Sequence, residues 1–213
     1  MSKRTINARD LFRSAYENRY TWDANFPGYT ASITFRENDQ VFSGQIKINK
    51  DLSSEVFNIK DKEVLAQIKS QLWEITIHRV RRSFEDTHGQ NSFRYGSIDE
   101  KGLVEILMGG KSEGDCYKLY DNKICHVHRH IQGIAITINT FNSHDTGEGY
   151  LSHCYDSIYH DPKTGKIRTE KRDFEDNYHK VKNYHILSNR IIKGREDGKS
   201  LIKDFSFSSI ELL

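Results

Sequence analysis

The chain has 213 residues, with Lys plus Arg at 32 and Asp plus Glu at 30, so its formal net charge is only +2. That balance excludes a globally basic surface of the kind that binds nucleic acid through phosphates, while 36% apolar and 11% aromatic residues exclude a chain too polar to build a core. No run approaches 18 apolar residues, so no transmembrane segment is expected, and the opening Met1-Ser2-Lys3-Arg4-Thr5-Ile6-Asn7 lacks the apolar stretch of a secretory signal.

Asn7 caps a helix expected from about Ala8 to Tyr20, with Leu11, Phe12, Ala15 and Tyr16 on one face. Pro27-Gly28 then marks a turn amid Trp22, Phe26 and Tyr29. Thr30 to Arg36 and Val41 to Asn49 alternate around Asn38-Asp39 as a β-hairpin, and Glu55 to Ile59 is a short strand. Asp61 caps a second helix carrying Val64, Leu65, Ile68, Leu72 and Ile75; from Trp73 to Val80 the period is mixed, compatible with helix or strand. Arg81 to Ser92 is polar and reads as a loop. From Phe93 onward every apolar segment has strand period. Nine further strands are expected, at 93–98, 103–108, 115–120, 124–131, 134–142, 150–160, 167–178, 184–192 and 201–210, with turns at Gly109-Gly110, Asp121-Asn122, Gln132-Gly133, 145–149, 161–165 and 194–199. Ile exceeds Leu and Ala is scarce, which favours sheet. The expectation is a single α+β, mainly β domain over 1–213: a large curved antiparallel meander, half-barrel or open barrel, with an N-terminal helix and one inserted helix.

Cys125-His126-Val127-His128-Arg129-His130 is the sharpest chemical signal. In a strand, His126, His128 and His130 share a face. All three span about 13 Å, too far for one ion, but two neighbours can share a metal, with His126 and His128 the candidate pair. If Gln132-Gly133 is a two-residue hairpin turn, His130 faces Ala135, His128 faces Thr137 and His126 faces Asn139, while Val127, Ile131, Ile134, Ile136 and Ile138 form the core side. The next hairpin brings Asp156 beside Asn139, with His160 on the same face. The histidine face is then solvent-facing, the lining of a ligand cavity, or a metal or catalytic site.

The other motifs are weaker. His144-Asp145-Thr146-Gly147-Glu148-Gly149-Tyr150 contains the Asp-Thr-Gly triplet of aspartic proteases, yet it follows polar residues and has no second copy, so it reads as a β-turn. Gly194-Arg195-Glu196-Asp197-Gly198-Lys199-Ser200 has three residues between its glycines where a phosphate loop needs four, and no helix follows. Cys116, Cys125 and Cys154 are odd in number and lack CxxC spacing, which fits reduced thiols in a reducing compartment, with Cys116 and Cys125 expected to be buried and inert.

Taken together, Ala8-Arg9-Asp10-Leu11-Phe12-Arg13-Ser14-Ala15-Tyr16-Glu17-Asn18-Arg19-Tyr20-Thr21-Trp22, the Phe26-Pro27-Gly28-Tyr29 turn, the histidine strand and the Asp145 to Tyr150 turn resemble an uncharacterised family of cyanobacteria and plastids, over nearly the whole chain. The resemblance implies a cytoplasmic or stromal protein linked to photosynthetic upkeep, and it assigns no catalytic residue. The functional expectation is a non-enzymatic binding or assembly factor for a hydrophobic small molecule, such as a pigment or lipid, or for a protein partner. Its candidate contacts are Trp22, Tyr29, Trp73, His126, His128, His130 and Asn139. The alternative is a metal-dependent hydrolase- or lyase-type enzyme with His126 and His128 as ligands and His130, His160 or Asp156 completing the shell or acting as base.

Overall fold

The computed structural model describes residues 6–196 and 198–213. The first five residues of the opening segment, and Asp197 in the Gly194 to Ser200 segment, lie outside the described residues.

Among the described residues, three helices and twelve strands follow in chain order. They are α1 (Ala8–Glu17), β1 (Tyr29–Glu37), β2 (Gln40–Ile48), β3 (Ser54–Phe57), α2 (Lys62–Ile77), α3 (Phe84–His88), β4 (Asn91–Ile98), β5 (Val104–Gly110), β6 (Cys116–Tyr120), β7 (Lys123–Ile131), β8 (Ile134–Asp145), β9 (Tyr150–His160), β10 (Ile167–Val181), β11 (Tyr184–Glu196) and β12 (Lys199–Leu212). The strands form one antiparallel sheet in the order β3-β2-β1-β12-β11-β10-β9-β8-β7-β6-β5-β4, so β3 and β4 are its edges and the sheet is not closed. The α+β, mainly β meander expected from the period-2 pattern is the observed architecture.

The chain divides into two compact units, each built from two segments: residues 1–20 with 82–172, and residues 21–81 with 173–213. In the first unit, α1 starts where the Asn7 side chain accepts from the Asp10 backbone N–H at 2.8 Å. Its apolar stripe, Ala8, Phe12, Ala15 and Tyr16, packs with Phe84 and with the β5–β6 residues Ile106, Met108, Tyr117 and Leu119. Phe12 is the hub: its ring lies 4.7–6.2 Å from those of Tyr16, Phe84, His88, Phe93 and Tyr117. Two-residue turns set the strand registers here. Gln132 and Gly133 both have positive φ (49° and 80°), as a type I′ hairpin requires.

The second unit buries Tyr29, Ile33, Phe35, Ile46 and Ile48 from β1 and β2, Ile68 and Leu72 from α2, and Phe205 from β12. Phe35 stacks on Phe205 at 4.5 Å. A buried ion pair accompanies this core: Arg190 donates to both Asp176 oxygens, at 2.8 and 2.6 Å, and reaches Gln71 and Glu74 on α2. Gly28, at φ +92°, abuts the Ile48 carbonyl so closely that a Cβ would sit 2.3 Å from its oxygen.

One local expectation is corrected and one open alternative is decided. Arg81 to Ser92 is not all loop, because Ser83 caps the five-residue α3 and β4 begins at Asn91. A single i,i+4 pair, Phe84 and His88, supplies α3's buried face, and one pair is too short to register as a period. Trp73 to Val80 resolves as helix to Ile77, with Ile75 and Thr76 buried on the face that Ile68 and Leu72 begin.

Candidate functional site

The histidine strand β7 pairs with β8 in the register that the Gln132-Gly133 turn dictates: His130 opposite Ala135, His128 opposite Thr137, His126 opposite Asn139. Neighbouring strands extend these positions into ladders. Glu105, Lys118, His126, Asn139 and Asp156 follow one another across β5 to β9, as do Cys116, His128, Thr137 and Ile158 across β6 to β9. His160 lies opposite Ala135 on the same face. The reverse face of these strands carries Ile106, Tyr117 and Val127 against α1. One side of the sheet is therefore core and the other a ladder of titratable groups.

Each imidazole is held through Nδ1 by an oxygen. His126 Nδ1 lies 2.7 Å from Asn139 Oδ1, and the Asn139 amide N–H donates to Asp156 Oδ1 at 2.8 Å. Asp156 is buried and also pairs with Lys171 at 3.1 Å. A carboxylate only accepts, so the amide must turn its nitrogen to Asp156 and its oxygen to His126, which makes Nδ1 the protonated nitrogen of His126. The same logic applies to His130, whose Nδ1 is 3.1 Å from the buried Asp115 carboxylate, which also accepts the His130 backbone N–H at 2.8 Å. His128 Nδ1 lies 2.9 Å from Thr137 Oγ1. Burial first, then the neighbouring His130 and His126, hold His128 below the ordinary histidine pKa, so it is a neutral base at neutral pH. Among the described residues no three His, Cys, Asp or Glu side chains are grouped to hold a metal ion.

A second feature lies at the start of β7. An open groove of about 230 Å³ is lined by Tyr120, Lys123, Cys125, Thr140, Phe141 and Tyr150, among others. It shares Tyr120 and Asp121 with a neighbouring groove of about 250 Å³ lined by Leu11, Ala15, Val104 and Leu119. Phe141 and Tyr120 stand at the surface, 68% and 54% exposed. The two hairpins are bulged here. Lys118 pairs with His126 but Leu119 with Ile124, leaving Cys125 as an extra residue; Thr140 pairs with Tyr155 but Asn142 with Cys154, leaving Phe141 as another. Bulges re-aim side chains at such sites. Tyr150 closes the groove floor, its hydroxyl accepting from the Ile124 N–H at 3.0 Å, and burial pushes its pKa up to about 12.

Sequence reasoning missed this groove. Strict alternation from Val127 puts Cys125 on the core side, whereas the bulge turns it into the groove and shifts Ile124 onto the core. The available signal was Ile124 itself, an apolar residue at the parity of His126. Cys125 and Cys116 are half-buried, Cys116 lies opposite His128 on the ladder face, and burial raises both thiol pKa values, so neither is a ready nucleophile.

The remaining candidates fall in the second unit. Trp22 and Tyr29 are buried in an aromatic cluster: Trp22 stacks on Phe26 at 4.0 Å and donates its indole N–H to the His185 carbonyl at 3.2 Å. The Tyr29 hydroxyl is buried without a hydrogen-bond partner, and burial raises its pKa steeply. Trp73, by contrast, is 61% exposed on α2. His126, His128, His130 and Asn139 thus come together in the first unit, while Trp22, Tyr29 and Trp73 belong to the second. The Asp145 to Gly149 segment is a turn in which Asp145 accepts from the Gly147 N–H at 2.9 Å and Thr146 donates to the Gly149 carbonyl at 2.8 Å.

No helix among the described residues is long and apolar enough to cross a membrane. No curated protein and no solved structure matches the chain. One family model does match, and it covers residues 3–213. Nearly the whole chain falls within that match, and the protein therefore belongs to the family described as proteins of unknown function, DUF3386.

Proposed function

We propose that the protein is a non-enzymatic binding protein that seats an aromatic or aliphatic side chain of a protein partner in the paired grooves at the β6–β7 turn. The observation that carries this reading is the exposure of Phe141 and Tyr120 beside those grooves. Exposed aromatics beside a side-chain-sized depression are the usual anchors of protein recognition. Groove size favours a partner's side chain over an engulfed pigment or lipid. At about 230 and 250 Å³ each groove is smaller than the roughly 300–1,000 Å³ that encloses a small-molecule ligand. The half-buried thiols of Cys116 and Cys125 fit a reducing compartment, and we infer that the partner shares it.

The test uses p-cresol, the tyrosine side chain as a free molecule, titrated into the isotopically labelled full chain and followed by backbone amide NMR. Saturable shifts confined to Tyr120–Cys125 and Thr140–Ser143, lost in the Tyr120→Ser/Phe141→Ser variant, support the proposal. Saturable shifts centred elsewhere, or none, overturn it.

A further inference from the structure

The histidine ladder lies outside that groove and has chemistry of its own. A metal-binding imidazole normally donates its second ring N–H to a carboxylate or another oxygen, which fixes the ring and leaves the opposite nitrogen as ligand. His126 and His130 have that arrangement before any ion is present, and at His128 the Thr137 hydroxyl beside Nδ1 is able to accept the same bond. His130 has Asp115, His126 has Asn139 backed by Asp156, and His128 has Thr137. Their outer nitrogens are therefore all Nε2. Of these neighbours, the His128 and His130 rings lie 5.2 Å apart, centroid to centroid, and nearly perpendicular at 85°. With Zn–N bonds of about 2.1 Å, two imidazoles bound to one ion through Nε2 at a tetrahedral angle have centroids roughly 5 Å apart. The pair already has the spacing of a chelate.

We propose that His128 and His130 form a bidentate imidazole clamp for a borderline divalent transition cation such as Zn²⁺, with Thr137 and Asp115 orienting the two rings and water completing the shell. The pair shifts one residue pair along the strand from the His126/His128 assignment that spacing alone suggests. Asp115 is the reason: its carboxylate is buried, and it accepts from both the backbone and the ring of His130. With two protein ligands the site is open and exchanging, unlike the closed four-ligand cages of structural zinc. Imidazole ligation selects transition cations over Mg²⁺ or Ca²⁺, which prefer oxygen.

Calorimetric titration of the tag-free full chain with Zn²⁺ at neutral pH tests this, alongside NMR of the histidine ring nitrogens. One saturable site is expected, weakened at least about tenfold by His128→Gln or His130→Gln and changed less than about twofold by His126→Gln. In the unsubstituted chain the Nε2 signals of His128 and His130 should move while their Nδ1–H signals persist, a readout that needs no variant to fold. Three results would overturn the proposal. One is the absence of saturable binding. Another is a loss in His126→Gln equal to that in His130→Gln. The third is ring shifts centred on His144 and His153, whose rings lie 4.4 Å apart. The p-cresol experiment reads different residues, so either proposal can fail without the other.

Discussion

His88 makes the stability of the first unit fall in mild acid. Its ring is only 4% exposed, meets Phe12 and Tyr16 edge-on at 5.1 and 5.0 Å, and holds Asn91 Nδ2 against its Nδ1 at 3.2 Å. An amide nitrogen only donates, so His88 Nδ1 accepts and the ring is neutral. Burial first, then the positive charges of Arg129 and Arg19, lower its pKa to about 4. The unfolded chain, with an ordinary histidine near 6.5, binds the proton first as pH falls. Stability from this residue is thus complete above about pH 6.5 and is lost as pH drops toward about 4. A shift of that size corresponds to about 3 kcal/mol, of which about 2–3 kcal/mol is gone by pH ~4.5.

Other groups titrate in the same window, so the informative quantity is the difference between the native chain and His88→Asn. Asn keeps an acceptor near the Nδ1 position and does not titrate, and the cavity it leaves costs the same at every pH. Urea unfolding of both proteins, from about pH 7 to about pH 4.5, should show the advantage of the native chain shrinking by about 2–3 kcal/mol. Far-UV circular dichroism is the required probe, because both tryptophans, Trp22 and Trp73, belong to the other unit. An advantage constant to within about half a kcal/mol over that range would refute the reasoning.

In the second unit, Asp176→Ala should cost about 3 kcal/mol, because it removes the carboxylate that accepts two hydrogen bonds from the buried Arg190 guanidinium. The Asp176→Leu/Arg190→Leu double variant should lose markedly less, and tryptophan fluorescence during denaturant unfolding reads both. Equal losses would mean that the ion pair itself, rather than a stranded charge, is what stabilises. At the turn that sets the histidine register, Gln132→Asn should stabilise by about 0.5 kcal/mol, since Asn tolerates the positive φ that Gln132 adopts. Circular-dichroism melts show this as a small rise in Tm, and a fall would contradict the type I′ assignment.

The strands were legible because one face of each is core: alternation at Ile134, Ile136 and Ile138 against His126, His128 and His130 gave register as well as strand. Turn chemistry did the rest, with Gln132-Gly133 aligning β7 on β8 and bringing His126 opposite Asn139. What stayed hidden breaks periodicity. Extra residues at Cys125 and Phe141 shift the alternation by one, so a strict period-2 reading sends Cys125 to the wrong side and passes over Phe141. The one-turn helix α3 is invisible for the opposite reason, having a single buried pair in a polar stretch. Partner choice within a face is equally out of reach from spacing. Asp115 makes His130 the better-supported member of the row, and it does so from the loop before β6.

The interleaved segments have a consequence during synthesis. β1 pairs with β12 from Tyr29 to Glu37, with a single register shift between Thr30 and Ser32, yet about 160 residues separate the end of one from the start of the other. At roughly 5–20 residues per second, a ribosome needs on the order of ten to thirty seconds to deliver β12 after β1 has emerged. Throughout that interval the nascent β1 has β2 on one side and a bare row of N–H and C=O groups on the other, carrying the apolar Ile33 and Phe35. A strand that is internal in the finished sheet is an open edge while the chain is being made, exposed for that interval to the pairing errors that open edges invite.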